Sequence, residues 1–575
     1  MASIDKLEFD VNISENLLEL EHYGKRVGEN WPVVYILNNS REAYIGETHH
    51  ASVRMNQHMD NPERRRLTEI RIISGEDFNK SVILDLEAFL IKHMGADGKY
   101  KLQNGNNGLQ DHDYYNRTKY EEGFQHIWKK LKKEGLVEHS ITEIENSNLY
   151  KYSPYKTLGT DQRAAEQKIL EALAELVKVG KGVTIIVRGG AGTGKTILAI
   201  YLMKLFADIN RKSVGEQNPD DYLDENAESV VAAESIRGIT KIGIIFPQAT
   251  LKESVKDIFK SISGLDKKMV MGTTEMVDEY LDSGKKYDLL IVDEAHRLKC
   301  RYNGHLSSYA KFDACNKALE LSHDYGTELD WIMKCSWNQI IFRDELQTVR
   351  PCDITADNFR DIIDGKYNTT RMEIALDTQW RCLGGNDYIN YLKELLACSP
   401  GLKKQVFEDY DFKIYTDVNR MVEDIKKLDA KLGLCRNAAG YAWKWISKKD
   451  KSLCDIEIQG YKYRWNSTYK NWIASDNSIN EIGCIHTLQG YDLNYVGVII
   501  GNDLKFNPET KQIYADKDCY FDQQGKSGVA SKPEELKEYI KNIYLTLMTR
   551  GIKGTYLYIC DEALREYFME YVEQA

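Results

Sequence analysis

The sequence has no long hydrophobic run, and its cysteines are confined to one part of the chain. No stretch approaches the roughly 18 consecutive apolar residues of a membrane-spanning helix. Residues 1–10 are acidic and have no apolar core, so we expect no secretory signal there. All 11 cysteines lie at or after Cys300, and none forms a C-x-x-C pair. This pattern predicts reduced thiols in a cytoplasmic protein, and it argues against a disulfide framework or a zinc site.

Positive charge is also in short supply. Lysine and arginine together number 77 against 88 aspartates and glutamates, which gives a formal net charge of -11. A broadly basic surface is therefore excluded, and any nucleic-acid contact must be a local basic track. With 575 residues the chain is too long for a single hydrophobic core, and we expect about three or four domains.

Short apolar runs alternate with helix-like patterns after residue 160. Such runs are typical of strands that are buried on both faces. Their alternation with helices predicts parallel sheets covered by helices on both sides, and this many strands requires two sheets. The runs occupy residues 183–187, 242–246, 289–292, 339–342, 495–501 and 556–560.

A glycine-rich segment follows the first of these predicted strands. Residues 189–196 read GGAGTGKT, which fits the phosphate-binding pattern G-x-x-x-x-G-K-[ST]. The glycines allow backbone N–H groups to approach phosphate oxygens, and the helix that follows adds the positive end of its dipole. We expect Lys195 to reach the β- and γ-phosphates of ATP and Thr196 to hold Mg2+. The glycines of this candidate loop are Gly189, Gly192 and Gly194.

An acidic pair follows the predicted strand at residues 289–292. A carboxylate at the end of a buried strand is costly unless it binds a partner, and Mg2+ is a natural partner for Asp293. Glu294 beside it is placed to polarise the attacking water. The alternative is an ordinary acidic pair at a strand end, which the phosphate loop on the same chain makes less favourable.

The sequence DEAH at residues 293–296, together with the phosphate loop, resembles superfamily 1 helicases. The region from residue 158 onward is similar to bacterial P-loop ATPases related to the C-terminal helicase region of Schlafen proteins. The resemblance implies two RecA-like parallel-sheet lobes, at residues 160–370 and 371–575.

Further motifs in chain order carry the same resemblance and imply roles in the nucleotide site. Gln162 matches the glutamine that reads the adenine edge, and Gln347 matches the one that senses the γ-phosphate. Arg381 and Arg550 match two arginine fingers, which stabilise the charge that develops on the γ-phosphoryl group. The motif that couples nucleotide to nucleic acid contributes Gln489 and Gly490.

A second group of candidate residues lies near the start of the chain. An apolar segment at residues 33–37 contains Tyr35, and after a polar turn the sequence Tyr44-Ile45-Gly46 follows, so the two segments predict a hairpin. Thr48 is expected to cap a helix that carries Arg54 and His58 on one face, since they are four residues apart.

A predicted helix at residues 82–94 carries Glu87 on its apolar side. A carboxylate that points inward needs a cation or strong hydrogen-bond donors, so Glu87 is a candidate metal ligand. Asn104 follows in a run that is rich in asparagine.

These N-terminal residues resemble the GIY-YIG nuclease family over about residues 31–107, although Val33-Val34-Tyr35 lacks the first glycine of the family motif. The resemblance implies a small mixed α/β nuclease domain at residues 1–135. The stretch 142–156 is polar, contains Pro154 and has no clear period, which predicts a linker at residues 136–159. The resemblance implies that Tyr35 and Tyr44 face the reaction, that Arg54 binds the scissile phosphate and that His58 assists proton transfer. It also implies one divalent ion, Mg2+ or Mn2+, on Glu87, and an ordering role for Asn104. The structural alternative makes the tyrosines sheet aromatics, Glu87 an ion-paired helix residue and His58 a surface group.

Two further patterns leave their alternatives open. The first is a set of arginines that either tracks a phosphate backbone or forms a solvated face, and the second is a set of aromatics that either stacks on bases or packs internally. The arginines are Arg54, Arg64, Arg65, Arg66 and Arg71. The aromatics are Trp443, Trp445, Tyr461, Tyr463, Trp465 and Trp472.

The combined motifs predict an ATP-dependent nuclease–helicase of the cytoplasm that acts on nucleic acid, with DNA favoured over RNA and antiphage defence as one hypothesis for its role. The alternatives are an ATP-driven nucleic-acid sensor or oligomeric switch without strand separation, and a DNA repair helicase whose nuclease fold is inactive. A membrane partner is not expected, and the sequence leaves a homo-oligomer open.

Overall fold

The computed structural model describes most of the chain. It covers residues 2–104, 114–115, 117–155, 158–179, 182–190, 192–211, 236–301, 306–344, 353–367, 369–379, 382–468, 472–475, 477–488, 491–526, 529 and 531–575. The chain divides into two compact units, and helices and strands alternate through most of the second. Unit 1 comprises Met1–Val177, Thr196–Ile242 and Glu253–Val270, and unit 2 comprises Lys178–Lys195, Gly243–Lys252 and Met271–Ala575.

The helices and strands are numbered in chain order. The strands are β1 (Ser3–Glu8), β2 (Glu21–His22), β3 (Lys25–Arg26), β4 (Val33–Asn38), β5 (Glu42–Thr48), β6 (Glu69–Ser74), β7 (Lys101–Leu102), β8 (Val183–Gly189), β9 (Ile242–Ile245), β10 (Val270–Met271), β11 (Tyr287–Val292), β12 (Ser336–Arg343), β13 (Thr370–Leu376), β14 (Asp411–Tyr415), β15 (Cys435–Ala439), β16 (Ile456–Ile458), β17 (Tyr461–Tyr463), β18 (Ile482–Cys484), β19 (Leu493–Ile500), β20 (Leu504–Asn507), β21 (Gln512–Ala515), β22 (Gly551–Ile559) and β23 (Glu573–Gln574). The helices are α1 (Ile13–Glu19), α2 (Ala51–Asp60), α3 (Lys80–Asp97), α4 (Arg117–Lys133), α5 (Ile141–Asn146), α6 (Asn148–Lys151), α7 (Thr160–Val179), α8 (Lys195–Arg211), α9 (Ala249–Ser261), α10 (Thr273–Ser283), α11 (Leu306–Ala318), α12 (Glu328–Cys335), α13 (Ala356–Gly365), α14 (Gly385–Leu396), α15 (Val418–Leu432), α16 (Ile485–Leu488), α17 (Gln523–Lys526), α18 (Pro533–Met548) and α19 (Glu562–Tyr571).

The N-terminal sheet has the strand order β1-β6-β4-β5-β7. Strands β4 and β5 are antiparallel, as the sequence predicts, and the turn between them is fixed by Asn39. The side-chain oxygen of Asn39 accepts hydrogen bonds of 2.8 Å from the backbone N–H groups of Arg41 and Glu42. An asparagine that bonds the backbone two residues later stabilises a tight turn, and this closes the hairpin that carries both tyrosines.

The two helices beside this sheet begin in different ways. Asn79 caps α3 by accepting a hydrogen bond from the backbone N–H of Val82, so α3 starts before the predicted residue 82. Thr48 does not cap α2, which is a correction to the sequence-based expectation. Its hydroxyl instead accepts from the backbone N–H of His50, the residue that precedes the helix, because β5 extends as far as Thr48.

The segment predicted as a linker, residues 136–159, contains α5 and α6, and both pack against α3. Tyr155 is buried, and a Cβ placed on Gly95 of α3 would lie 2.7 Å from the tyrosine ring. Glycine at position 95 is therefore what lets the ring approach the helix. The polar composition predicted a linker, but the few apolar side chains of the segment anchor it.

The first parallel sheet has the strand order β10-β9-β11-β12-β8-β13. Strands β11, β12, β8 and β13 are parallel neighbours. The apolar residues of the predicted runs 183–187, 289–292 and 339–342 are buried, as expected. Because β13 pairs with β8 along its whole length, this sheet runs past the boundary predicted between residues 370 and 371. The predicted boundary cuts a strand that the sequence pattern alone did not reveal.

The second parallel sheet, in the strand order β18-β15-β19-β22-β14-β23, lies wholly in unit 2. Each pair of neighbours is parallel. Two parallel sheets therefore follow the N-terminal mixed sheet along the chain. Among the described residues, no helix combines the length and apolar character needed to cross a membrane.

Asp503 is a buried carboxyl just beyond the end of β19. The Tyr544 hydroxyl donates a 2.6 Å hydrogen bond to it, and burial raises the pKa of Asp503 to about 7. A carboxyl whose pKa is higher in the folded than in the unfolded protein costs stability increasingly as pH rises from about 4 to 7.

We therefore expect Asp503→Asn to raise the melting temperature at pH 8, by the equivalent of about 1–3 kcal/mol, with a smaller gain at pH 5. Asp516→Asn is a matched control of opposite sign, because a hydrogen bond from Lys505 lowers the pKa of Asp516. Its loss of stability should appear near neutral pH and fade in acid. Calorimetry at the two pH values measures both, and an Asp503→Asn gain that does not depend on pH would contradict the assignment.

Candidate functional sites

Tyr35 of β4 is the centre of a polar cluster within unit 1. Its hydroxyl lies 2.7 Å from Nε2 of His58, and Nε of Arg54 donates to the same hydroxyl at 3.3 Å. His58 and Arg54 both come from α2, where the four-residue spacing places them on one face as predicted. The ring of Tyr44 packs edge-on against His58, with centroids 5.1 Å apart. The four residues proposed from the hairpin and the helix are thus brought together.

Gly46 makes room for this cluster. In the β4–β5 pair Gly46 lies opposite Tyr35, and a Cβ at position 46 would sit 2.3 Å from the tyrosine hydroxyl oxygen. Real Cβ atoms do not approach other heavy atoms this closely, so only glycine lets the Tyr35 ring lie across β5. The glycine of the Tyr-Ile-Gly sequence therefore has a packing reason in this chain.

The environment fixes the protonation states of the central pair. Burial, with the positive charges of Arg54 and Arg64, lowers the pKa of His58 to about 3. Burial also raises the pKa of Tyr35 well above its ordinary value, and the negative charge of Glu87 contributes in the same direction. At neutral pH the pair is a neutral imidazole beside a protonated phenol. Such an imidazole can accept a proton from the phenol, if its Nε2 is the unprotonated nitrogen.

Glu87 and Asn104 complete the predicted set. Glu87 lies on α3, is partly buried and is close enough to Tyr35 to influence its titration. Asn104 clamps β5 from the side: its Oδ1 accepts from the backbone N–H of Ile45 at 3.1 Å, and its Nδ2 donates to the Ile45 carbonyl at 2.8 Å. This pair of bonds fixes the strand between Tyr44 and Gly46.

Arg64 also belongs to the cluster around Tyr35 and Tyr44. The sequence analysis named it only as one of a set of arginines. Its guanidinium lies 3.8 Å from the centroid of the Tyr44 ring and donates a 2.5 Å hydrogen bond to Gln103. Gln103 in turn donates to Glu42 at 3.0 Å. Arg64 begins a 3-10 turn a few residues after α2, and only the folding of that turn against β5 brings it to Tyr44.

Carboxylate oxygens are ligands for divalent ions, and Glu87 supplies a carboxylate close enough to Tyr35 to raise the pKa of that tyrosine. Among the described residues no group of three or more His, Cys, Asp or Glu side chains could hold a metal.

The candidate phosphate loop lies at the end of β8 in unit 2. Gly192 and Gly194 have φ angles of 84° and 79°, a backbone region that disfavours any residue with a Cβ. The ammonium group of Lys195 donates to the carbonyls of Gly189 at 2.6 Å and Gly190 at 2.7 Å. Thr196 follows Lys195 in the first turn of α8. Loop, lysine and helix therefore occur in the order that phosphate binding requires.

Asp293 and Glu294 lie directly after β11. Asp293 is fully buried, and its backbone N–H donates to the Ile245 carbonyl at 3.0 Å. Glu294 has a positive φ of 52° and lies 2.9 Å from Nε2 of His296. Burial alone would raise the pKa of Glu294, but its close contact with His296 and the positive charges of Lys195 and Arg297 outweigh burial and hold that pKa below its ordinary value. Glu294 is thus a carboxylate, as a group that activates water must be. The buried carboxylate of Asp293 suits a divalent cation.

Asp344 also belongs to this site, although the sequence analysis did not propose it as a site residue. It follows β12, is buried, and has an oxygen 3.7 Å from the Lys195 ammonium group. Its backbone N–H is directed at Nδ1 of His296 at 3.4 Å. The parallel pairing of β8, β12 and β11 brings these residues together, and the position of Asp344 at a strand end was the available signal.

Of the other predicted nucleotide-site residues, two have described surroundings and four lie outside the described residues. Gln162 is buried at the start of α7, and its Oε1 accepts from the backbone N–H of Gly159 at 2.9 Å. Arg550 follows α18, is only 2% exposed and donates through Nε to the Thr546 carbonyl at 3.2 Å. The residues outside the described part are Gln347, Arg381, Gln489 and Gly490.

Comparison with known protein families gives a match over most of the chain. A family model described as Schlafen group 3, DNA/RNA helicase domain, matches residues 182–561. The uncharacterized protein YPL245W of Saccharomyces cerevisiae is 24% identical over 445 residues, which cover 71% of this chain and 90% of the yeast protein.

Two solved structures also match. One is Pif1 helicase from Bacteroides in complex with ADP-AlF3 and single-stranded DNA, with 12% identity, a TM-score of 0.25 and coverage of 69% of this chain and 92% of that chain. The other is Bacteroides Pif1 bound to single-stranded DNA, with 10% identity, a TM-score of 0.26 and coverage of 70% and 92%.

We expect Gly46→Ala to destabilise the N-terminal sheet by about 1–3 kcal/mol, because the new methyl group collides with the Tyr35 ring. Gly123→Ala is the matched control: Gly123 lies in α4, and a Cβ at that position would meet nothing within 4 Å, so alanine there should stabilise by about 1 kcal/mol. Calorimetry of the full chain measures both. Equal melting temperatures for the two variants would contradict the packing role of Gly46.

Proposed function

Because this chain belongs to the Schlafen group 3 family, whose DNA/RNA helicase domain it matches over residues 182–561, we propose that it is an ATP-driven nucleic-acid motor joined to a metal-dependent nuclease. The family supports the helicase-like P-loop domain. The nuclease half of the proposal rests on one observation, the contact of Tyr35 with His58 and Arg54 beside Glu87. DNA is the substrate we propose, with RNA as the alternative.

In the ATPase half, the phosphate loop and the strand-end carboxylates divide the work. Lys195 binds the β- and γ-phosphates, while Thr196 and Asp293 hold Mg2+. Mg2+ neutralises phosphate charge when it is bound. Glu294, kept ionised by His296 and Lys195, orients and deprotonates the attacking water.

The remaining predicted residues keep their proposed roles. Gln162 reads the adenine edge, Gln347 senses the γ-phosphate, and Arg381 is one arginine finger. Arg550 as the second finger requires its guanidinium to leave the Thr546 carbonyl on nucleotide binding, because Arg550 is buried in the described conformation. The remaining proposal is that Gln489 and Gly490 couple the nucleotide to the nucleic acid.

In the nuclease half, the cluster carries a proton relay. The attacking water gives a proton to the Tyr35 oxygen while the Tyr35 proton passes to Nε2 of His58 across the 2.7 Å contact. The high pKa of Tyr35 argues for one concerted transfer, since a free tyrosinate is unfavourable there. The water oxygen forms the new P–O bond as the bond to the leaving sugar oxygen breaks. That oxygen takes a proton from solvent, and His58 then releases its proton to solvent. Arg54 and Arg64 stabilise the phosphate charge, and Glu87 holds Mg2+ or Mn2+, which neutralises part of that charge.

Two alternatives remain in view. The ATPase could act as a nucleic-acid sensor or an oligomeric switch without strand separation, or the nuclease fold could be inactive in a repair helicase. Antiphage defence is a hypothesis for the role of the joined activities, because a motor with its own nuclease suits the degradation of foreign DNA.

The central test compares wild type, Lys195→Ala and Glu87→Ala on single- and double-stranded DNA and RNA, with and without ATP. We expect Lys195→Ala to lose ATP hydrolysis and strand displacement, because the phosphates lose their main cation. We expect Glu87→Ala to lose cleavage by at least about 100-fold and to keep ATP hydrolysis. Cleavage that is unchanged in Glu87→Ala would remove the nuclease assignment. Oligomerisation on ATP without strand displacement would favour the switch.

The pH dependence of cleavage tests the relay. Since the pKa of His58 is about 3, its protonation should not slow cleavage between pH 8 and 5, whereas an ordinary histidine would titrate near 6.5. His58→Ala should slow cleavage by about 100-fold or more, and His50→Ala, at an exposed position beside α2, should not. A wild-type loss of rate with a midpoint near 6.5 that disappears in His58→Ala would contradict the neutral imidazole.

A further inference from the structure

Residues 440–481 join β15 to β18, two neighbouring parallel strands of the second parallel sheet, and we call them the aromatic insertion. Four of the nine tryptophans of the chain lie within it, at positions 443, 445, 465 and 472. Residues 443–464 carry six lysines and arginines against three aspartates and glutamates, in a chain whose net charge is -11. Aromatic and basic side chains are thus concentrated in one short segment.

Trp465 is the buried centre of this segment, with 1% of its surface exposed. The ring of Tyr441 stacks on it at 5.5 Å and an angle of 24°. Trp445 and Trp443, both partly exposed, contact Trp465 at centroid distances of 6.0 and 6.4 Å. Because Trp443 and Trp445 pack against a buried ring, their orientation is fixed in the absence of a ligand.

Lysines lie over the aromatic rings at the surface of this cluster. The ammonium group of Lys448 is 4.4 Å from the Trp445 ring centroid, and those of Lys444 and Lys526 are each 5.7 Å from the Phe521 ring. Within the described part of the chain, neither Lys444 nor Lys526 forms an ion pair. Two ammonium groups thus lie near one ring, and a polyanion bound there would be attracted to both.

The carboxylate of Asp455 holds the insertion together from inside. It accepts hydrogen bonds from the backbone N–H of Ser447 at 2.7 Å and of Trp465 at 2.9 Å. These bonds link the segment that carries Trp445 and Lys448 to the buried Trp465.

The insertion is attached to the helix that precedes Gln489. The Tyr441 ring lies 5.7 Å from that of His486 in α16, and Nε2 of His486 lies 2.8 Å from Asp522. The backbone N–H of Phe521 donates to the Tyr441 carbonyl at 2.7 Å. A ligand bound to the exposed rings would therefore contact side chains that pack together with Tyr441 and His486.

We propose that Trp445 and Phe521, with Lys444, Lys448 and Lys526, form a platform that binds a single-stranded polynucleotide. Bases stack on the two rings and phosphates pair with the three lysines, which is the combination that single-strand binding uses. An acidic protein segment would satisfy the lysines but would supply no base to stack on Trp445 and Phe521. This inference deepens the proposed function by naming where the strand binds, and it depends on neither catalytic site.

The test measures binding of fluorescein-labelled oligothymidylate and oligouridylate to the full chain by anisotropy over a series of salt concentrations. For the double variant Lys444→Gln/Lys526→Gln we expect the slope of log K against log salt to fall by about 1.4, from two phosphate contacts of about 0.7 each. For Trp445→Leu we expect binding to weaken roughly 5- to 100-fold, with little change in slope. Comparing the two oligonucleotides shows whether the platform prefers DNA or RNA.

The chain supplies a matched control. Lys286 lies 4.5 Å from the ring of Trp337, which is 58% exposed and belongs to β12 outside the insertion. Lys286→Gln and Trp337→Leu should leave affinity and slope unchanged. The platform variants should also retain wild-type ATP hydrolysis in the absence of nucleic acid, which shows that their nucleotide site is folded.

Three results would overturn the inference. Platform variants that bind like the Lys286 and Trp337 controls, while wild type binds well, would overturn it and leave the proposed function standing. Absence of binding in wild type to any polynucleotide would overturn both. Polyglutamate that competes as strongly as oligothymidylate would indicate an acidic protein partner in place of a nucleic acid.

Discussion

The candidate nucleotide site depends on the parallel register of β8, β12 and β11. Because these strands are hydrogen-bonded neighbours that run in one direction, their carboxyl ends lie at one edge of the sheet. The phosphate loop, Asp344 and Asp293 each follow one of these ends. A single constraint of strand pairing therefore gathers cations and carboxylates from segments that are far apart in the sequence.

Within that edge, electrostatic balance decides what the carboxylates can do. Glu294 would be neutralised by burial if it stood alone, but His296 and Lys195 keep it ionised. In the N-terminal cluster, burial and the neighbouring Arg54 and Arg64 act in the same direction and keep the His58 imidazole uncharged. Both candidate sites thus set the charge of a proton acceptor through burial and neighbouring cations, once for a carboxylate and once for a histidine.

Packing of rings against glycine and against other rings recurs in the functional regions. Gly46 lets Tyr35 lie across its partner strand, and Gly95 admits the Tyr155 ring against α3. In the second parallel sheet, Trp465 supports the partly exposed rings of the aromatic insertion. In the last case the same side chains combine an internal packing role with a surface that suits nucleic acid, so the two interpretations of the aromatic run from the sequence are compatible.

The sequence by itself determined the features that depend on local spacing. These include the β4–β5 hairpin, the shared face of Arg54 and His58, the glycine-rich loop with Lys195, and the buried strand before Asp293, because a few residues of one segment encode each of them. Only the tertiary structure decided the contacts of Asp344 with Lys195 and of Arg64 with Tyr44, the continuation of the first parallel sheet through β13, and the pKa of His58. Each of these arises where segments distant in the chain pack together, and burial and neighbouring charge at such points are not encoded in any single stretch of sequence.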